Sequence, residues 1–381
     1  MATSSGQRHS YSNTQPLKRT VTDMILLTDP NEIVALNVLG LNNESKFRFV
    51  NTPGQKYEWL EDTYRVLTDV GADQEIDTKT LETTLTVTTG TKFSTGDIIT
   101  WGGDAELMYV TSISGNDLTV VRAFAGTTAT THTTDGTVAI RFRARIEGAT
   151  ATDSTMTEVT SGVNYSMILQ KTLDITRTAG LLPYYGMSDP VGYQVQKGVD
   201  ELMQALNRSL YYLTAVGQAG SATVARTYGG FQGMITTNNT AASSAALTEK
   251  MIQDELNDCW TGNGRPDVLF CGAWAKRKIA DFFGGFVRTD RTETVGGIEI
   301  SQIHSPLGNT IRVVVDRDCQ ADTLYLIDTS LAGLITIDPM FTEELGKTAD
   351  TAFYGQIVGE FGFVLAQEDA HSYISGFSIT A

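Results

Sequence analysis

The stretch Thr80–Ile140 constrains the fold most, because it reads as strand and turn in regular succession. It carries 18 Thr among 61 residues and very little charge. Leu85–Val87, Asp97–Trp101, Glu106–Ser112 and Leu118–Arg122 are short alternating runs, separated by turn signals at Thr89-Gly90, Ser94–Gly96, Gly102-Gly103 and Gly115-Asn116. β-branched side chains suit a pleated surface, and strands at roughly ten-residue spacing predict a small all-β sandwich or barrel. The texture changes on both sides, which marks 80–140 as an inserted domain. The chain is expected to re-enter its host through Arg141-Phe142-Arg143-Ala144-Arg145-Ile146, where period-two alternation lines three arginines along one strand face.

The host is mixed α+β. Val195, Val199, Leu202, Leu206, Leu210 and Leu213 recur at spacings of three and four, which predicts a helix over Gly192–Val216. Asp189-Pro190 suits its start and Gly217 its stop; at about 1.5 Å per residue the rod approaches about 35 Å. Leu247–Trp260, opened by Thr248 as N-cap, and Trp274–Phe283, interrupted at Gly284-Gly285, are further amphipathic helices. Asp267–Cys271 reads as a buried strand, and Ile298–Ile303, Ile311–Val315 and Leu324–Asp328 as others. At 381 residues the chain exceeds what one core usually serves, so two or three domains are expected.

Enzyme templates fail. There is no G-x-S-x-G elbow, H-E-x-x-H pair or Walker A loop. Gly262–Asp267 opens like a dinucleotide fingerprint but places Asp267 where the third glycine belongs and precedes a strand, so it reads as a turn. His9, His132, His304 and His371 show no ligand spacing. Asp316-Arg317-Asp318 reads as a solvated loop in preference to a cation site. Glu58, Glu61 and Asp62 form an acidic cluster beside Trp59 that could share a helix face, without a sugar site to serve. Cys259, Cys271 and Cys319 are too few and too spread for a disulfide framework and read as buried thiols. No catalytic, cofactor or metal residue is predicted.

The formal charge of −16 argues against sequence-specific DNA binding. Arg141, Arg143 and Arg145 form the one dense basic stripe, and Lys276-Arg277-Lys278 reads as a solvated helix face. Residues 1–20 hold Arg8, Lys18 and Arg19 and no acid, as a flexible basic arm would. No apolar signal core or membrane-length run is present, so a soluble chain made in the cytoplasm, without a membrane partner, is expected. The sequons at Asn43, Asn164 and Asn238 then carry no meaning.

Two segments carry more. Leu345–Phe377, LGKTADTAFYGQIVGEFGFVLAQEDAHSYISGF, places a polar Lys347–Asp350 turn before a strand through Gly359-Glu360-Phe361 and a Gly-closed tail around His371. With Tyr57-Glu58-Trp59-Leu60-Glu61-Asp62 it resembles the major capsid proteins of tailed bacteriophages, which have the Hong Kong 97-like capsid fold. Glu61 replaces a common Thr of that family and Ala349 a common Gly. The resemblance implies an N-terminal arm (1–44), the two limbs of an extended loop (45–79 and 141–175), and the inserted β domain (80–140) between them. It further implies a peripheral domain with a spine helix (176–228), an axial domain (229–336) and a return to the peripheral domain (337–381). It implies a homo-oligomer of hexamers and pentamers forming an icosahedral virion shell around double-stranded DNA, with only non-specific proximity to that DNA. Scaffolding and decoration proteins are possible partners. Glu58, Trp59, Glu61, Asp62, Arg141, Arg143 and Arg145 are the candidate intersubunit contacts. An encapsulin-type compartment, a phage tail or fibre protein with a surface-binding β domain, and an enzyme with an unrecognised site are the alternatives.

Overall fold

The computed structural model describes residues 33–40, 54–72, 83–132, 136–149, 156–182, 189–283, 302–346 and 351–380. In chain order they form α1 (Val34–Leu39), β1 (Lys56–Glu61), β2 (Thr68–Val70), β3 (Thr84–Thr86), β4 (Asp97–Trp101), β5 (Met108–Ser114), β6 (Asp117–Val121) and β7 (Thr137–Arg143). There follow β8 (Thr160–Tyr165), β9 (Met167–Thr176), α2 (Arg177–Leu181), α3 (Pro190–Tyr212), α4 (Phe231–Met234), β10 (Asn239–Ala241), α5 (Glu249–Thr261), β11 (Val268–Cys271) and α6 (Ala273–Phe283). The last are β12 (Gln302–His304), β13 (Thr310–Val315), β14 (Thr323–Ile327), β15 (Ala332–Glu344), β16 (Thr351–Leu365) and β17 (Ser372–Ser375). The fold is α+β, as the sequence texture implies. It divides into two compact units: Leu60–Ser161, and Met1–Trp59 with Gly162–Ala381.

In the larger unit a six-stranded mixed sheet has the order β10-β17-β14-β11-β13-β12. Its central strand β11 is a continuous apolar run because both faces are covered. Val268 and Phe270 point into a core shared with α1, α3 and α4. Leu269 and Cys271 point the other way, onto the apolar faces of α5 and α6. Aromatic rings fill the first core: Phe231 lies 5.2 Å from Tyr325 and 5.4 Å, edge-on, from Phe363. A second sheet, β15-β16-β9, carries α3 on one face, where Val195, Val199 and Leu202 meet Leu173 and Ile357.

The helix starts and strands follow from local chemistry. Asp189 accepts the Val191 N–H at 3.0 Å, with Pro190 in the first turn where its missing N–H costs nothing. Thr248 caps α5 by accepting the Met251 N–H at 3.3 Å. α3 ends at Tyr212, short of Gly217, because the Leu213 carbonyl turns out of the helix to accept the Gly230 N–H at 3.1 Å. All three cysteines are buried and free, and burial pushes the Cys259 and Cys271 thiols up to about 12. The arm residues Arg8, Lys18 and Arg19, the Lys347–Asp350 turn, Gly284-Gly285 and the first residues of the strand expected at Ile298–Ile303 lie outside the described residues.

The smaller unit is a six-stranded sheet of order β2-β7-β4-β5-β6-β3. Its two end strands meet: Ala72 N–H donates to Thr86 O and Thr88 N–H to Val70 O, both at 2.9 Å, so the sheet closes into a barrel. Trp101 fills the interior beside Gly71 and Gly136, where an added Cβ would stand 2.0 and 2.1 Å from the indole. The sheet therefore takes in β2 and all of β7, and the sequence boundaries at Thr80 and Ile140 cut through it. The strand expected at Glu106–Ser112 begins two residues later, because Glu106 turns inward to an arginine.

Chain entry and exit of this unit are adjacent. Ser166 N–H donates to Gln55 O at 3.0 Å, and Thr160 Oγ1 to Glu61 O at 3.4 Å. The partner number falls as the chain number rises, so β1 and β8 run antiparallel and bring Glu61 and Thr160 side by side. Replacing residues 62–159 by a two-residue Asn-Gly turn, which suits an antiparallel pair, should leave the larger unit folded. Near-ultraviolet circular dichroism and a cooperative melt test this; a molten spectrum would show the larger unit depends on the barrel.

Candidate functional site

Burial alternates along β1: Tyr57 and Trp59 turn inward, while Lys56, Glu58 and Leu60 face out. Glu58 and Glu61 therefore lie on opposite sides of a strand and share no helix face, which corrects the paired-carboxylate geometry. Glu58 is exposed and ion-paired with Lys56. Asp62 follows the strand, 3.4 Å from Thr157 Oγ1. Trp59 is only 9% exposed and lies against Gly162, where a Cβ would come within 2.4 Å of its ring. Its indole packs within this chain.

Tyr57 shows why the motif is built this way. β9 pairs with β16 only as far as Phe361, opposite Met167. Two residues on, the outward N–H and C=O of Phe363 have no strand partner. The Tyr57 hydroxyl accepts the Phe363 N–H at 2.7 Å and lies 2.9 Å from Phe363 O. Asn164 Nδ2 donates to the same carbonyl at 2.8 Å, while its Oδ1 accepts the N–H groups of Tyr165 and Gly229, each at 2.9 Å. Burial holds the Tyr57 hydroxyl far above its ordinary pKa, so it stays neutral. Beside them Arg226 donates to Ser166 O and Gln55 Oε1, each at 2.9 Å, and pairs with Glu360.

The arginine stripe is shorter than its spacing implies. β4 pairs with β7 at Ile98–Phe142 and Ile99–Ile140, leaving Arg141 at a bulge. The strand ends at Arg143, and Arg145 lies beyond it. Arg141 Nε donates to Thr100 Oγ1 at 2.9 Å. Arg143 Nε donates to Asp97 Oδ1 at 2.7 Å, and Arg65 holds the other oxygen of this fully buried carboxylate at 2.6 Å. Arg143 is itself exposed and reaches in to pair with the buried Asp97 of the barrel.

Three polar centres escape sequence reading. In the barrel, Glu106 takes Arg122 through Nε at 3.0 Å and Nη2 at 2.7 Å, and also contacts His132 Nε2 at 2.9 Å. Burial alone would raise Glu106, but bonds from Arg122, Thr130, His132 and Ala123 hold it down at about 2. In the larger unit Asp316, expected in a solvated loop, is fully buried beneath α1 and α3. His371 is also buried; its Nδ1 accepts the Asp328 N–H at 3.1 Å and its Nε2 lies 3.2 Å from Ala366 O. Burial lowers His371 to about 4, against the raising influence of the Ala366 carbonyl, Asp328 and Asp267. Among the described residues no group of three His, Cys, Asp or Glu side chains could hold a metal ion.

Large apolar side chains stand in solvent on the segments that lead into and out of the barrel. Leu60 is 79%, Tyr64 89%, Ile146 71% and Met156 88% exposed, with Val66, Leu67 and Val159 above half.

The model of the SU10 major capsid protein family matches residues 3–378, and the chain belongs to that family: it is a major capsid protein, a subunit of a shell. Similar solved structures include the cyanophage A-1(L) capsid asymmetric unit, at 12% identity, TM-score 0.46 and coverage of 62% of this chain and 85% of that one. Mycobacterium phage Cain gives 10% identity and TM-score 0.43 over 88% and 90% of the two chains. The holo-SrpI encapsulin complex from Synechococcus elongatus PCC 7942 gives 9% and 0.43 over 58% and 78%. Comparison with curated proteins gives no match.

Two outcomes follow from the buried groups. Tyr57→Phe strands the Phe363 N–H and should cost about 1–3 kcal/mol in urea unfolding. For His371 the folded pKa, about 4, lies below the 6.5 of the free side chain. The neutral ring therefore contributes stability that is complete above about pH 6.5 and lost between there and about pH 4, amounting to about 3 kcal/mol. Urea midpoints across that window should fall less steeply in His371→Gln than in the wild type.

Proposed function

We propose that the chain assembles as hexamers and pentamers of an icosahedral shell around the double-stranded DNA of a tailed phage, and that it acts by contact and not by catalysis. The observation that carries this is the exposed apolar set at Leu60, Tyr64, Ile146 and Met156 on a chain of a capsid family. The inward side of β1 is already filled by Tyr57 and Trp59, so a neighbouring copy is the natural cover for Leu60. Glu58, Glu61, Asp62, Arg141 and Arg145 supply a polar rim together with Arg143, which is ion-paired to Asp97, whereas Trp59 supports the surface from inside.

On this reading the architecture is Hong Kong 97-like. Of the expected arm 1–44, residues 33–40 form α1 in the larger unit's core; the segments around β1, β8 and β9 are an extended loop carrying the barrel, and α3 is the spine of a peripheral domain. The sheet around β11 is the axial domain. Each contact can be weak, because many act together across the shell. The charge of −16 keeps the wall from adhering to the packaged nucleic acid. Assembly takes place in the host cytoplasm, with scaffolding and decoration proteins as possible partners.

Negative-stain electron microscopy after gel filtration tests the proposal: closed shells, sheets or rings are expected. Leu60→Asp with Tyr64→Asp should leave the subunit's circular dichroism unchanged and abolish those particles. Normal particles from that variant would show that another surface makes the contacts.

A further inference from the structure

α1 is six residues long, too short to persist alone in water, and Ile33 gives it no side-chain cap. Its apolar side, Ala35, Leu36 and Leu39, is buried in the larger unit's core. Two N–H groups that a helix start leaves unpaired are taken by side chains far along the chain. Ala35 N–H donates to Asp316 Oδ2 at 3.2 Å, and Leu36 N–H to Asn207 Oδ1 at 3.3 Å. Asp316 Oδ2 also accepts Asn207 Nδ2 at 2.9 Å and the Tyr211 hydroxyl at 3.0 Å, and its Oδ1 accepts the Asp318 N–H at 2.9 Å. Both Asn207 and Asp316 are fully buried. A buried carboxylate is costly unless hydrogen-bonded; α3 and the carboxylate's own loop supply three of these donors, and α1 supplies the fourth.

The other participants do not depend on this cluster. α3 packs on β9 and β16, and β13 pairs with β11 and β12. The backbone bonds of α1, from Asn37 to Ile33 and from Gly40 to Leu36, are internal to it.

We infer that Asn207 and Asp316 are the lock that seats α1 in the larger unit, and that a seated α1 is a condition of shell assembly. The assembly half of this rests on the shell reading; the seating half does not. Chain bearing Asp316→Asn or Asn207→Ala, kept as soluble subunit, is followed by hydrogen exchange with mass spectrometry. Peptides over 33–40 are compared with those over β11 and β16. Both variants should exchange 33–40 roughly tenfold faster while β11 and β16 keep wild-type protection, and particles should be absent or mis-sized. Unchanged protection of 33–40 overturns the lock, as does loss of protection in β11 and β16 in step with it. If Asp316→Asn opens the whole subunit, the milder Asn207→Ala decides by the same criteria. Faster exchange with normal particles keeps the seating and overturns its part in assembly. Absence of particles from the wild type tells against the shell reading and leaves the exchange result standing.

Discussion

A backbone N–H or C=O shut away from water must find a partner, and at Phe363 that requirement organises the larger unit. β16 has β15 along one edge from Gly355 to Leu365, but β9 leaves its other edge at Phe361. Past that point the sheet is continued by side chains: Tyr57 from β1 and Asn164 from β8 stand where a strand would be. The two strands that lead to and from the barrel are thereby fixed to the central sheet by the same two backbone groups. Asn164 extends the tie to Gly229, at the head of α4. A neutral phenol and a neutral amide suit this place, since a charge there would carry a desolvation cost that neither backbone group could offset.

The barrel solves a different problem. A subunit that lives among many copies of itself presents each open sheet edge to every neighbour, and an open edge invites strand addition. Closure through Val70, Ala72, Thr86 and Thr88 removes both edges. The interior is apolar around Trp101; besides the buried Asp97 and its arginines it holds a charged cluster at Glu106, Arg122 and His132. That cluster ties the segment after β6 back to the start of β5. Its carboxylate accepts two arginine nitrogens and two backbone N–H groups, so a buried charge is tolerated because nearly every lone pair is used.

What the sequence disclosed, and what it concealed, divides along the range of the interactions. The limits of β4, α5 and α6, and the start of α3, were readable from alternation, apolar stripes and the caps Asp189 and Thr248, all of which act within a few residues. Closure of the barrel was not, because β2 is three residues long and meets β7 only after some seventy intervening residues. Glu58 and Glu61 sit in a window short enough to fit either a helix or a strand, and only the inward demand of Tyr57 and Trp59 decides for the strand. Asn164 read as no more than a glycosylation sequon. Asp316, in an Asp-Arg-Asp run that any composition rule assigns to solvent, is buried by elements 281 and 109 residues away. The Tyr57–Asp62 motif was legible as a segment, but the apolar residue that faces outward from it is Leu60, while Trp59 packs inward.

That difference bears on how such a shell can hold. Each copy carries a formal charge of −16, so copies repel one another until salt screens them over about 10 Å. Ion pairs at a wet rim contribute little against this, and Arg143 is already engaged by Asp97. Apolar burial has no such opponent: it is local, independent of sign and repeated at every contact. Leu60, Tyr64, Ile146 and Met156 are placed on the segments around the barrel, where extended chain offers much surface with little core beneath it. On the proposed reading, an interface of this kind would stay weak for one pair of copies, letting misplaced subunits leave, and become strong when each subunit is surrounded.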